Sequence, residues 1–391
     1  MEIDRRPVVQ VISKPMKQCN DTSADPTPTG RFQALNAFRG LAILWIVCFH
    51  MLAAHRELYG QTINLILKYG NIALSMFFVI SGFGISNSVH KTFAKRTPLA
   101  QFIKKRMYRI YLPYWASLVW AALIIPVVSG LLSAVEHHSL NFEFYHLTPL
   151  EWVQMATLTK VFTAGGWQLN LAFLPVNGAV WFIAVIVQMY LVVACAMAFR
   201  TQYNKIIIAV SCLAALCLIP SVKARIPYGL FLPYWLDFAT GILLFHVIRA
   251  RRTIPRTTAP WLIGILLFLT ITALWASLMF TRVLVAPFAA FLFYIIYPFD
   301  DIFSKTAPFR FFSFLGTFSY SLYLMHIPLW PLIATFVRHI CPIPPPIADP
   351  LLLVPATVAA SFIWYLFFEK PGSITGTIHA LSNPFTTALF D

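Results

Sequence analysis

Residues 39–50 read RGLAILWIVCFH. An arginine and a histidine bracket ten uncharged residues, and the apolar run extends from Leu35 to Ala54 with only Asn36 added to its polar members. That is about the twenty residues a helix needs to cross roughly 30 Å of hydrocarbon. The spacing decides as much as the length. Eleven steps of about 100° return to within about 20° of the start, so Arg39 and His50 share one helix face, roughly 16 Å apart along the axis. A face carrying both must look into protein or water, which makes this helix one member of a bundle.

Similar apolar runs recur as far as Phe368 in a chain of 391 residues. Hydrophobic residues make up 59% and charged residues 11%, against about 25% charged in a soluble domain, so lipid is the solvent for most of the chain. The expected fold class is an all-α integral membrane protein with about ten transmembrane helices, at 36–56, 69–89, 111–132, 178–199, 205–222, 228–248, 260–279, 282–298, 313–337 and 350–368. The formal charge of +15 sits between these spans, which argues against nucleic acid as its partner. Lys91, Lys95, Arg96, Lys104, Lys105, Arg106 and Arg109 precede the third span, and Arg249, Arg251, Arg252 and Arg256 follow the sixth. The positive-inside rule places these connections, and with them both termini, in the cytoplasm. Residues 1–30 are polar and lack a signal-peptide core, and are expected to be a disordered cytoplasmic tail. Residues 31–371 form the membrane domain and 372–391 a short cytoplasmic tail. The six cysteines show neither a disulfide framework nor zinc-ligand spacing.

On the opposite side a long connection, about 133–177, carries Glu136, His137, His138, Glu143, His146, Trp152 and Trp167. Its 150–162 segment is expected to lie along the membrane surface as an amphipathic helix, either as an interfacial cap or as a lid over a site. The Pro-rich stretch 342–350 reads as a stiff turn.

Ionisable groups deep in a bilayer are expensive and mark candidate sites. Histidine accepts a proton near neutral pH, so His50 is the candidate general base. Arg39 suits phosphate or carbonyl oxygen, the alternative being an anchor at the membrane interface. In FFVISGFGIS (77–86), Ser81 and Gly82 either let helices pack closely or leave room for a thin ligand. In KKRMYRIYLPYW (104–115), Lys105, Arg106 and Arg109 either fix topology, meet anionic lipid or hold phosphate groups. Trp181 and Gln188 in WFIAVIVQMYL (181–191), Asp237, and His326 in SYSLYLMHIPL (319–329) make a second polar set, with Pro328 signalling a local break. The chain ends its last span in WYLFFEKP (364–371), where Glu369 and Lys370 read as an interfacial stop.

These blocks, in this order and over roughly residues 31–371, resemble the acyltransferase 3 family. The resemblance implies a membrane-bound O-acyltransferase that uses cytoplasmic acyl-CoA, most often acetyl-CoA, as co-substrate and holds no bound cofactor or metal. It implies an acceptor hydroxyl on a sugar of an exopolysaccharide, lipopolysaccharide, peptidoglycan, Nod factor or related glycan, or a lipid-linked sugar, at the bacterial cell membrane, with membrane lipid and glycan assembly proteins as further partners. It marks Arg39 and His50 as essential and links Arg106 and Arg109 with donor binding, Lys105 standing where a second arginine is common. Some relatives carry a soluble hydrolase-like domain after the membrane part; about twenty residues follow Pro371 here, so a second transfer step is expected to need a separate partner. The rival readings are a proton-coupled carrier, which also buries His, Arg and Asp but commonly shows repeated halves not detectable here, and a non-catalytic membrane subunit.

Overall fold

The computed structural model describes residues 32–136, 148–163, 177–227, 229–249, 281–340 and 343–370. Every regular element among them is helical: α1 (Gln33–Leu52), α2 (Gly60–Lys68), α3 (Ala73–Ala94), α4 (Leu99–Glu136), α5 (Pro149–Ala156), α6 (Lys160–Thr163), α7 (Trp181–Ala198), α8 (Tyr203–Ala215), α9 (Pro220–Lys223), α10 (Trp235–Arg249), α11 (Thr281–Ile296), α12 (Asp300–Phe303), α13 (Ala307–Thr317), α14 (Ser319–Ile340), α15 (Pro345–Ala348) and α16 (Val354–Phe368). A helix satisfies its own backbone hydrogen bonds, which is what a lipid-dissolved chain requires. Seven stretches among the described residues are long and apolar enough to cross a membrane: Gln33–Leu52, Ala73–Ala94, Trp181–Ala198, Arg200–Leu218, Leu284–Phe303, Ser319–Ile340 and Pro345–Phe368.

The differences from the sequence reading have local causes. The helix expected at 111–132 begins at Leu99, directly after Pro98, so Lys104 to Arg109 ride on its first turns and not in a loop. No helix breaker stands between Leu99 and Ile110, and charged side chains on a helix read from sequence like a connection. The span expected at 313–337 is two helices, broken at Phe318 just after Gly316. α10 covers only 235–248 of the expected 228–248 and runs one residue past it, to Arg249. Within 342–350, Pro345–Ala348 is helical and leads into a π-helical turn, Asp349–Leu353. The span expected at 260–279 and the two tails lie outside the described residues.

Two close crossings position the elements that matter. A methyl group added to Gly40 would overlap the Phe312 carbonyl oxygen, and one added to Gly316 would overlap that of Asn36, so α1 and α13 touch backbone to backbone. Asn36 Nδ2 donates to the Ser313 carbonyl at 2.7 Å across the same contact. Gly82 and Gly241 do the same for α3 and α10, meeting the carbonyl oxygens of Phe238 and Val79. Small residues drive such crossings because lipid gives helices no hydrophobic reason to associate. The start of α1 is pinned by Asp300, whose two carboxylate oxygens accept from the backbone N–H groups of Gln33 (2.9 Å) and Ala34 (2.7 Å). Arg39 and His50 are thereby carried on a helix fixed at its N-terminus and along its flank.

The segment expected as one amphipathic helix over 150–162 is two, α5 and α6, turned at Leu158, whose φ is +63°. α4 holds its end. Tyr114 donates to the Met155 carbonyl (2.6 Å), Trp115 to Ala156 (2.9 Å) and Tyr111 to Thr157 (3.4 Å), which satisfies carbonyls that a helix C-terminus leaves open.

Candidate active site

The cationic end of the site is assembled from α1, α3, α4, α7, α14 and the end of α16. Arg106, on the second turn of α4, points back at α3: its Nη2 donates to Ser88 Oγ and lies 3.5 Å from the Gly84 carbonyl oxygen. Its guanidinium also sits 5.4 Å from the centre of the Tyr190 ring on α7, a cation–π contact. Arg39 lies within electrostatic range of Arg106, Arg109, Tyr190 and Glu369. Glu369, one residue beyond α16, is tied to the start of α14, where its Oε2 accepts from Ser321 Oγ (2.6 Å) and Ser321 N–H (3.1 Å). Tyr320 beside it donates to the Ile110 carbonyl at 2.6 Å and so joins α14 to α4. Arg39 and Arg109 thus lie within electrostatic range of the one carboxylate and Arg106 within range of both arginines, three positive charges against one negative, with Arg39, Arg106 and Glu369 half-buried and Arg109 exposed. Like charges this close repel unless an anion joins them, and arginine pairs with phosphate through two parallel N–H donors. Lys105 and Lys104 are exposed on the outer face of α4, the latter 5.7 Å from the Tyr108 ring centre.

The second end of the site is aromatic. The His50 and His326 rings lie 5.2 Å apart, tilted by 46°. His326 is fully buried and its Nδ1 is 2.8 Å from the Tyr323 carbonyl oxygen. A carbonyl only accepts, so that contact assigns the ring proton to Nδ1 and leaves Nε2 with its lone pair. Nε2 is buried without a hydrogen-bond partner among the described residues. Tyr323 and Phe182 pack at 5.5 Å beside the pair, followed by Phe78 and Tyr234.

Two helices measure the distance between the ends. On α1, Arg39 and His50 are roughly 16 Å apart in rise; on α7, Tyr190 at the arginines and Phe182 at the histidines are roughly 12 Å apart. An extended pantetheine arm is on the order of the same length.

The other predicted residues fall into place differently. Gly82 serves the α3–α10 crossing, and Ser81 is half-buried beside it. Gly84, two residues on, has open space at its Cβ, and its carbonyl oxygen lies 3.5 Å from Arg106 Nη2. Gln188 is consumed structurally: its Nε2 donates to the carbonyls of Gly229 (2.8 Å) and Ala184 (3.2 Å), and its Oε1 accepts from Phe231 N–H (3.2 Å). Trp181 is buried, 5.5 Å from the Tyr234 ring, and with Tyr114, Met155 and Lys160 it lines a cavity under α5 and α6. Asp237 is half-buried on the first turn of α10. Sequence reasoning passed over Ser88, Tyr190 and Ser321, and read Glu369 as a stop. The available signal for Glu369 was an acid directly abutting an apolar span.

The family model described as an acyltransferase domain matches residues 32–368. Comparison with curated proteins and with solved structures gives no match. The matched stretch takes in both ends of the site apart from Glu369, and with its apolar helices this multi-pass membrane protein belongs to the acyltransferase 3 family.

Proposed function

We propose that the protein transfers an acyl group, acetyl by preference, from cytoplasmic acyl-CoA to a hydroxyl of a bacterial cell-envelope glycan. The observation that carries this reading is the pairing of a guanidinium cluster with a histidine pair at the separation of a pantetheine arm. In this reading the spans number ten, both termini and the arginine end face the cytoplasm, and the histidine pair lies deeper in the bundle. The phosphates of the donor rest on Arg39, Arg106 and Arg109, and the thioester extends along the α1 face to His50.

His50 then takes the proton of the acceptor hydroxyl as its oxygen attacks the thioester carbonyl carbon. The tetrahedral intermediate expels the CoA thiolate by C–S cleavage, and the His50 imidazolium returns the proton to that sulfur. His326, with its tautomer fixed by the Tyr323 carbonyl, offers Nε2 to the positive charge that forms on His50. An orienting group of this kind keeps the base in the productive tautomer.

The test is labelled acyl transfer into envelope glycan by membranes holding equal amounts of wild type or His50→Ala, supplied with acetyl-CoA and separately with succinyl-CoA. Label in wild type with a loss of at least about a hundredfold in His50→Ala is the expected result, since a general base contributes about 10²–10⁴. Undiminished label in the variant removes His50 from the chemistry. No label in wild type from either donor turns the reading towards a carrier.

A further inference from the structure

Beyond His50 the chain leaves α1 through a 3-10 turn, Ala53–Tyr59, kinked at His55 (φ −120°, ψ 16°). His55 is five residues past His50, roughly 8 Å of rise in the direction away from the arginines. Facing it is Asp349, the first residue of the π-helical turn that leads into α16. Asp349 is 3% exposed, and among the described residues its ion-pair contact is His55 Nε2 at 3.9 Å, beyond hydrogen-bond length. Arg338, exposed near the end of α14, lies within electrostatic range. The Tyr59 hydroxyl completes the group. It is buried without a hydrogen-bond partner among the described residues and lies within electrostatic range of both Asp349 and Cys48, two residues before His50.

A buried carboxylate has about four acceptor positions, and a buried phenol one donor; here the phenol oxygen has no hydrogen-bond partner among the described residues, and the carboxylate meets His55 at 3.9 Å, beyond hydrogen-bond length. Leaving such groups unpaired costs free energy comparable to a lost hydrogen bond for each, and the cost is larger for the charge. Single-turn π-helical distortions of this kind are frequent at functional sites. The inventory is an acceptor-rich carboxylate with a neighbouring O–H donor and an imidazole. It matches a neutral sugar unit, in which two adjacent hydroxyls donate to the two oxygens of one carboxylate and a third oxygen accepts from the phenol. Phosphate or carboxylate ligands would be repelled by Asp349.

We infer that Asp349, Tyr59 and His55 form a subsite for a neutral, polyhydroxylated sugar of the acceptor, flanking the unit whose hydroxyl reacts at His50. The inference rests on the acyl-transfer reading and adds to it a direction. Donor enters over the arginines, acceptor reaches His50 from the opposite end, and the two never share an entrance.

The experiment uses the full-length protein in detergent, labelled acetyl-CoA and the total envelope glycan of the expressing cells, with Asp349→Asn and Tyr59→Phe as near-isosteric variants. Each is expected to raise the half-saturating glycan concentration about tenfold or more, as loss of a hydrogen bond to a charged or buried group implies, with half-saturation for acetyl-CoA moving less than about twofold. A glycan half-saturation within about twofold of wild type in both variants overturns the subsite. So does a parallel rise for both substrates, which marks a merely structural role. If wild type itself transfers nothing, the acyl-transfer reading fails, and glycan binding in the absence of donor decides the subsite separately. Binding weakened at least about tenfold by Asp349→Asn upholds it; equal binding, or none in wild type, overturns it.

Discussion

Arg39 brings a permanent charge into a helix whose neighbours are apolar, and it tolerates that position because Glu369 stands within electrostatic range while Ser321 holds the carboxylate in place. Arg106 is held more tightly, by Ser88 on one side and the Tyr190 ring on the other. A planar guanidinium makes both contacts at once, whereas an ammonium carries its charge as a point and loses the fork. Arg106→Lys is therefore expected to raise the half-saturating acyl-CoA concentration about tenfold, equivalent to roughly 1.4 kcal/mol, with little change in turnover at saturation. Steady-state rates over a range of acyl-CoA concentrations check this, and an unchanged half-saturation removes Arg106 from donor binding. In the proposed mechanism His326 acts at the other end through Nε2, which has no hydrogen-bond partner among the described residues. His326→Ala is expected to lower turnover by about 10² while leaving acyl-CoA half-saturation nearly constant, because it disturbs the base and not the arginines.

At the scale of elements, the bundle depends on glycines that hydropathy cannot single out. Gly82→Val and Gly241→Val each drive a side chain into a carbonyl of the facing helix, where no flexible atom can yield, and are expected to destabilise at or above the upper end of the 1–3 kcal/mol typical of overpacking. Gly84→Ala, with open space around its Cβ, serves as the contrast and is expected to leave thermal aggregation of the detergent-solubilised protein almost unchanged. The α5–α6 segment has a different fastening. Lys160 Nζ lies 2.6 Å from Glu151 Oε1, and this bond, aided by the Thr148 capping donors, holds the Glu151 carboxyl down to about 2. A depressed carboxylate stabilises above its ordinary value near 4.5 and loses that contribution as pH falls towards 2. Hydrogen exchange over 148–163 is accordingly expected to hold steady from pH 7 to about 5 and to accelerate below about 4 beyond its intrinsic trend, an excess that Lys160→Met abolishes. Long apolar runs made seven spans legible in the sequence. The early start of α4 was hidden because Lys104 to Arg109 look like a loop, and the break at Phe318 because its flanks are equally apolar.

Across the whole molecule, the proposed function rests on bringing distant chain positions to two levels of one bundle. Arg39 and His50 were readable from sequence because a single helix carries both, and helical geometry fixes their shared face and separation. The rest of each level was not. Glu369 reaches Arg39 from the far end of the chain, Tyr190 reaches Arg106 from α7, and His326 finds His50 through the packing of α14 on α1; no local period records any of these meetings. The central claim is that the two levels divide the work, arginines binding the donor and histidines running the chemistry. Its most direct test is the full rate dependence on acetyl-CoA for wild type, Arg39→Ala and His50→Ala in one membrane preparation, with labelled glycan as the readout. The account predicts that Arg39→Ala chiefly raises half-saturation, by about tenfold or more, while His50→Ala chiefly lowers turnover, by at least about a hundredfold, at an acetyl-CoA half-saturation within about threefold of wild type. A His50→Ala enzyme that keeps its turnover, or whose defect vanishes at high acetyl-CoA, would contradict it.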